Sequence, residues 1–176
     1  MKILSVDPGY ERLGIAVIGI ETDGQPNGPR RGKEHLFFSD CITTDRKLPH
    51  HKRLQKIGEA VRDIIVEWQP AELAAEELFF AANKNTALHV AEALGVVLYE
   101  AAQHNIPAFL YKPPEIKMTV TGYGRSDKKQ VTEMVKKLIR IPQKSGARDA
   151  LDDEYDAIAV GLTHIACRKT RDIRKT

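Results

Sequence analysis

Four acidic side chains in this 176-residue sequence stand where a carboxylate is costly or crowded. Asp7 ends a short apolar run, Ile3-Leu4-Ser5-Val6, just before a Pro8-Gly9 turn, and Glu76 ends a second run, Leu73-Ala74-Ala75. Asp153 and Asp156 lie three residues apart, flanking the apolar face of a helix predicted over about 150–167, with Asp149 on the same stripe. An acid at the end of a buried strand is destabilising unless something pairs with it. Carboxylate oxygens suit Mg²⁺ or Mn²⁺. Two simpler roles stay open: Asp7 as a cap of the Pro-Gly turn, and the acids of the last helix as charges favoured by its N-terminus. The second accounts for Asp149, Asp152 and Asp153 but poorly for Asp156, which lies too far into the helix. Taken together, four clustered carboxylates can hold two Mg²⁺ ions about 4 Å apart, a pair that activates water and stabilises the leaving oxygen of a phosphodiester.

These acids meet only if the intervening elements bring them together. Residues 3–6 and 14–20 read as a hairpin whose first strand is buried on both faces. Residues 21–33 are Gly/Pro-rich and polar and predict a loop, and 34–43 predict a third strand, so the chain starts as an antiparallel three-stranded sheet. Leu54, Ile57, Val61, Ile64, Ile65 and Trp68 recur at helical spacing over 49–68, and Pro70 ends that helix. After the Glu76 strand comes an aromatic, Asn and Lys loop over 79–85, then a helix over 86–103. That helix has two apolar stripes side by side: Ala87, Ala91, Leu94, Leu98 and Ala101, then Leu88, Gly95, Tyr99 and Ala102. Such a width is more than packing on one sheet requires, and fits either a dimer surface or deep burial in the monomer. A strand over 107–111 and a short helix from Pro113-Pro114 through Met118 follow. Ser126 or Asp127 can cap a helix over 128–139 whose apolar face is Val131, Met134, Val135 and Leu138. The last helix would face the core with Leu151, Tyr155, Ile158, Leu162 and Ile165 or Ala166. Strands separated by helices after residue 70 predict a parallel half to a mixed sheet.

With 42% apolar residues and this length, the chain predicts a single domain over 1–168 and a basic tail over 169–176. No apolar run approaches the ~20 residues that span a bilayer. The N-terminus enters a strand directly, without a signal-peptide pattern. Cys41 and Cys167 have no metal-ligand spacing and form no disulfide framework, which predicts a reducing cytoplasm. The net charge of +3 is unevenly spread. Residues 117–148 carry nine basic and two acidic side chains (+7) and the tail from Arg168 carries +4, so the rest of the chain carries −8. A basic segment on an acidic body is a footprint for a polyanion.

The segments VDPGYERLGIAVI, AAEELFFAANKN, EIKMTVTGYGRSDKKQVTEMV and DDEYDAIAVGLTH, in this order and spacing, resemble the RuvC-type Holliday-junction resolvases of the RNase H-like superfamily. The resemblance covers nearly the whole chain. It implies an α/β fold, a five-stranded mixed sheet with its first three strands antiparallel and helices on both faces. It implies a structure-selective DNA endonuclease that resolves four-way junctions in recombination and repair. Asp7, Glu76, Asp153 and Asp156 would be both catalytic and metal-binding, with two Mg²⁺ ions per site and Mn²⁺ as a substitute. Phe79, Lys84, Lys117, Arg125, Lys128 and Lys129 would contact DNA. The implied partners are four-way junction DNA, a second copy of the chain in a homodimer and a branch-migration helicase, with no membrane. Glu77 and Asp152 neighbour the chosen acids, and Glu77 should point to the opposite side of its strand. The rivals are a sugar-kinase-type ATPase, which needs a second related domain, and a non-catalytic or RNA-directed relative of the same fold.

Overall fold

The computed structural model describes residues 1–22, 32–78, 84–142 and 152–173. Ten elements follow one another: β1 (Lys2–Asp7), β2 (Arg12–Thr22), β3 (Gly32–Thr43), α1 (His50–Trp68), β4 (Glu72–Glu76), α2 (Lys84–Gln103), β5 (Ala108–Tyr111), α3 (Pro113–Thr121), α4 (Lys128–Leu138) and α5 (Asp152–Ile173). The sheet order is β3-β2-β1-β4-β5. β1 and β3 run antiparallel to β2, while β1, β4 and β5 are parallel. The expected mixed sheet is therefore present, with β1 at its centre.

Strand alternation divides the core. Ile3, Ala16, Ile18 and Ala74 face α5, with α3 and α4 packed on the same side. Leu4, Val6, Ile15, Val17, Leu73 and Ala75 face α1 and α2. β1 is buried on both sides, as its unbroken apolar run requires. Two glycines set how closely α5 lies on the sheet. A Cβ at Gly161 would stand 2.5 Å from Ile18 Cγ2 and 2.8 Å from Ser5 Oγ, and one at Gly14 would stand 1.9 Å from the Asp153 carbonyl oxygen. Between β5, β4 and α5, polar groups satisfy one another. Tyr111 Oη and His164 Nδ1 are 2.8 Å apart, His164 Nε2 lies 2.6 Å from Glu72, and Arg168 pairs with Glu72.

Several boundaries differ from the sequence reading. The loop expected over 21–33 is shorter, because Glu21 pairs with Lys33 and Thr22 with Gly32 as the hairpin lengthens. The last helix continues to Ile173 rather than stopping near 167. On α4 the capping box belongs to Asp127 and Gln130, and Ser126 is instead buried against Thr121 and Tyr123. Leu138 is exposed, and Ile139 at the helix end fills the core position expected of it. On α2, Ala93, Leu94, Val97 and Ala101 form the buried face, whereas Leu88 and Tyr99 are both 59% exposed. The second apolar stripe is thus outside the monomer core, and deep burial in the monomer does not explain it. Among the described residues no helix is long and apolar enough to cross a membrane.

Candidate active site

β1 and β4 end side by side. Val6 pairs with Ala75 in parallel register, so the next residues, Asp7 and Glu76, emerge next to each other. Both belong to the strand positions that face α5, as do Ser5 and Ala74. The first turns of α5 close the arrangement with Asp153 and Asp156. Gly14, the antiparallel partner of Asp7, lets the Asp153 backbone reach the sheet at this point. The four sequence-predicted acids therefore converge from three elements.

Their electrostatics show the crowding. Burial pushes the Asp7 carboxyl well above the usual carboxylate range, and the charges of Glu76, Asp156 and Asp153 push it the same way. Glu76 is raised by burial and by Asp156, and Asp156 by burial and by Asp153 and Asp152. Hydrogen bonding with the adjacent Asp7 carboxyl works in the other direction and lowers Glu76. Of the neighbouring pairs, Glu76 and Asp153 are the members whose charges act on Asp7. Asp152 is more exposed and lies 3.8 Å from Lys128. The Glu77 amide is taken up by the Tyr111 carbonyl.

Cations moderate this charge. Lys128 Nζ stands 2.9 Å from Asp156, and Arg12 Nε 3.0 Å from Asp153. Glu76, Asp156, Lys117 and Lys128 line one cleft of about 250 Å³, walled by Pro113, Ile116, Val131 and Ala159. Lys117 also lowers the Glu76 carboxyl through its charge. Arg125 and Lys129 are exposed and do not line this cleft. Phe79 lies outside the described residues, and so does the Lys84 side chain, although Lys84 opens α2.

Sequence reading missed three groups that fix the α5 terminus. Arg12 holds Asp153, Cys41 Sγ donates to the same carboxylate at 3.8 Å, and Ser39 Oγ donates to the buried Glu154 at 2.8 Å. Burial and the neighbouring Asp153 push the Cys41 thiol up to about 11. No local signal marks these residues, because each partner lies on a distant part of the chain.

An all-carboxylate donor set suits a hard divalent cation with oxygen ligands, and carboxyls held together against their own repulsion fit such a guest. Clustered acids beside two lysines in one cleft can act on a phosphodiester.

Comparison with known proteins gives a consistent picture. A family model described as crossover junction endodeoxyribonuclease RuvC matches residues 3–164. The chain is 38% identical over 173 residues to the crossover junction endodeoxyribonuclease RuvC of Thermotoga petrophila, covering 98% of this chain and 97% of that one. It is similar to the structure of Thermus thermophilus RuvC, with TM-score 0.79 and 27% identity over 97% of this chain and 96% of the other. A second structure, of T. thermophilus RuvC in complex with Holliday junction substrate, gives TM-score 0.78 and 28% identity over 94% of this chain and 93% of the other.

Proposed function

Because the chain belongs to the RuvC family of crossover junction endodeoxyribonucleases, we propose that it is a metal-dependent endonuclease that resolves Holliday junctions by symmetric phosphodiester hydrolysis. The observation that carries this reading is the cleft in which Glu76 and Asp156 face Lys117 and Lys128, with Asp7 beside Glu76. Asp7, Glu76, Asp153 and Asp156 would hold two Mg²⁺ ions, with Mn²⁺ as a substitute. When bound, such ions supply an activated water and stabilisation of the leaving oxygen.

The protein's own residues would do the rest. Lys117 and Lys128 offer positive charge at the cleft wall, where a phosphate backbone needs it, and such contacts position DNA without reading its sequence. Arg125 and Lys129 would extend this contact along the basic segment. Arg12 anchors Asp153, whose charge acts on Asp7. The raised carboxyls of Asp7, Glu76 and Asp156 mean that the site favours a proton or a metal ion over four free charges. Phe79 would stack on an unpaired base at the junction centre. We place its action in a reducing cytoplasm, where Cys41 and Cys167 would stay as thiols. A homodimer would bring two such sites to one junction, and family membership points to a branch-migration helicase as the partner that presents it. The family match over residues 3–164 argues against the ATPase rival, and the convergence of all four acids favours a catalytic over a non-catalytic relative.

The test uses labelled four-way junction, linear duplex and RNA–DNA hybrid, each with and without Mg²⁺. Paired, symmetric cuts confined to the junction and dependent on the ion are expected. Equal cutting of the hybrid, or cutting that persists in chelator, would overturn the reading.

A further inference from the structure

A second group of metal-ligating side chains lies apart from the four acids. His50 opens α1, while His89 and Glu92 lie one turn apart on α2. His50 Nε2 stands 3.0 Å and His89 Nδ1 3.1 Å from the same oxygen, Glu92 Oε2. All three ligand atoms fall within 4.8 Å of one another. In a tetrahedral zinc site, with metal–ligand bonds of about 2.0–2.2 Å, ligand atoms stand roughly 3.3 Å apart. Two of the three edges need only a few tenths of an ångström to reach that value, and the third is within 4.8 Å.

The surroundings are built to hold such rings. Tyr10 Oη lies 2.7 Å from His50 Nδ1, the nitrogen that faces away from Glu92. With Nε2 on a metal, Nδ1–H donates to that hydroxyl, as the supporting partner of a ligating histidine does. Tyr10 also stacks on His89, ring centroids 4.8 Å apart. Tyr10 itself is fixed by the buried Arg53, whose guanidinium sits 3.7 Å from the ring centroid and donates to the Tyr10 carbonyl. Thr44 Oγ1 donates to the same carbonyl at 2.7 Å. The histidines border a cleft of about 520 Å³ that reaches Asp153, so a water can complete the coordination. Imidazole ligands select a zinc-class transition ion over Mg²⁺, which separates this chemistry from that of the carboxylates.

We propose that His50, His89 and Glu92 form a second metal site, for Zn²⁺, that clamps the first turn of α1 to α2. The ion would fix Tyr10, three residues beyond Asp7 on the turn that leaves β1.

The test titrates Co²⁺, then Zn²⁺, into chelator-stripped full-length protein in excess Mg²⁺. The readouts are visible absorption and melting temperature. The expected result is one equivalent of Co²⁺ with the intense bands of a four-coordinate ion, bleached by Zn²⁺, and a melting temperature that rises with Zn²⁺. His50→Gln and His89→Gln should each weaken Zn²⁺ binding by more than about 100-fold, and Tyr10→Phe by roughly 10–100-fold, the range for a supporting partner. Asp7→Asn should keep both signals. Glu92→Gln preserves shape and serves if a histidine variant does not fold. Absence of the bands, bands unchanged in His89→Gln and Glu92→Gln, or bands lost in Asp7→Asn would overturn the proposal.

Discussion

At Asp7 the change to asparagine removes one charge and almost no volume, so it separates a metal-binding role from a turn-capping one. As a ligand, Asp7→Asn should lower Mg²⁺-dependent junction cleavage by at least about 100-fold, more than loss of a supporting partner costs. Junction binding should survive, because phosphate contacts made by lysines carry it. A capping role predicts near-normal cleavage, since asparagine caps as well as aspartate. Stability gives an independent reading. Asp7, Glu76 and Asp156 all titrate above their ordinary values in the fold. A raised carboxyl contributes stability that is present below its unfolded value and is lost as pH rises through the folded one. In chelator, then, wild-type protein should lose melting temperature as pH rises from about 4, the unfolded carboxyl value, towards neutrality, and Asp7→Asn should lose less, ending level with or above wild type at neutral pH. Thermal melts of both proteins across that range decide it. The lysines admit a different measurement. Lys117→Ala and Lys128→Ala should each weaken junction binding and reduce the slope of log affinity against log salt by about one. An unchanged slope with full activity would remove that lysine from the interface. The acids were readable because a charge at the end of an apolar strand run stands out in sequence. Arg12 was not, because an arginine on an exposed hairpin looks like any solvated charge until Asp153 is placed against it.

At the level of elements the site depends on how the start of α5 is seated. Arg12 and Cys41 hold Asp153, Ser39 holds Glu154 and Lys128 holds Asp156, so β2, β3 and α4 all pin the same two turns. Gly14→Ala would drive a methyl group into the Asp153 carbonyl, a rigid backbone contact. The helix terminus must then shift, and a shift of about 1 Å at reacting groups can cost 10²-fold in rate. Gly161→Ala meets Ile18 and Ser5 further along α5 and should cost roughly 1–3 kcal/mol of stability, with a milder effect on cleavage. Denaturant melts and cleavage rates on the two variants separate seating of the site from packing of the helix; equal behaviour would show that the α5 terminus has no special role. The antiparallel start of the sheet and the two-sided burial of β1 were legible from turn signals and an unbroken apolar run. The face of α2 was legible only in part. Its true buried set includes Ala93 and Val97, and a helix with apolar residues on most sides does not declare which side meets the sheet. Likewise Ile139 replaces Leu138 on α4 because the chain leaves the helix there, and periodicity alone carries no information about where the turn count stops.

Across the whole molecule, the sheet turns Asp7 and Glu76 towards the acids of α5, and α1 and α2 cover the opposite face while α2 leaves an apolar strip exposed. Leu88 and Tyr99 on that strip are each 59% exposed, and a Cβ at Gly95 would touch nothing within 4 Å. Exposed apolar residues flanking an open glycine invite close approach of a second helix. A two-fold axis there would make the interface self-complementary, each α2 packing on the other. Symmetric cutting of a junction needs two active sites in fixed relation, and such an axis would provide them. Gly95→Arg should therefore yield monomers with a nearly unchanged monomer fold, because the substituted side chain meets open space in the single chain. Leu88→Glu should do the same by placing charge on the strip. Sedimentation at micromolar concentration reads the oligomeric state, and circular dichroism reads the fold. Cleavage supplies the functional half: a monomeric variant with intact acids should nick single strands but lose the paired, symmetric cuts that release two duplexes. Wild-type protein that sediments as a monomer both with and without junction would remove α2 as the dimer surface, and paired cutting by a proven monomer would remove the need for one.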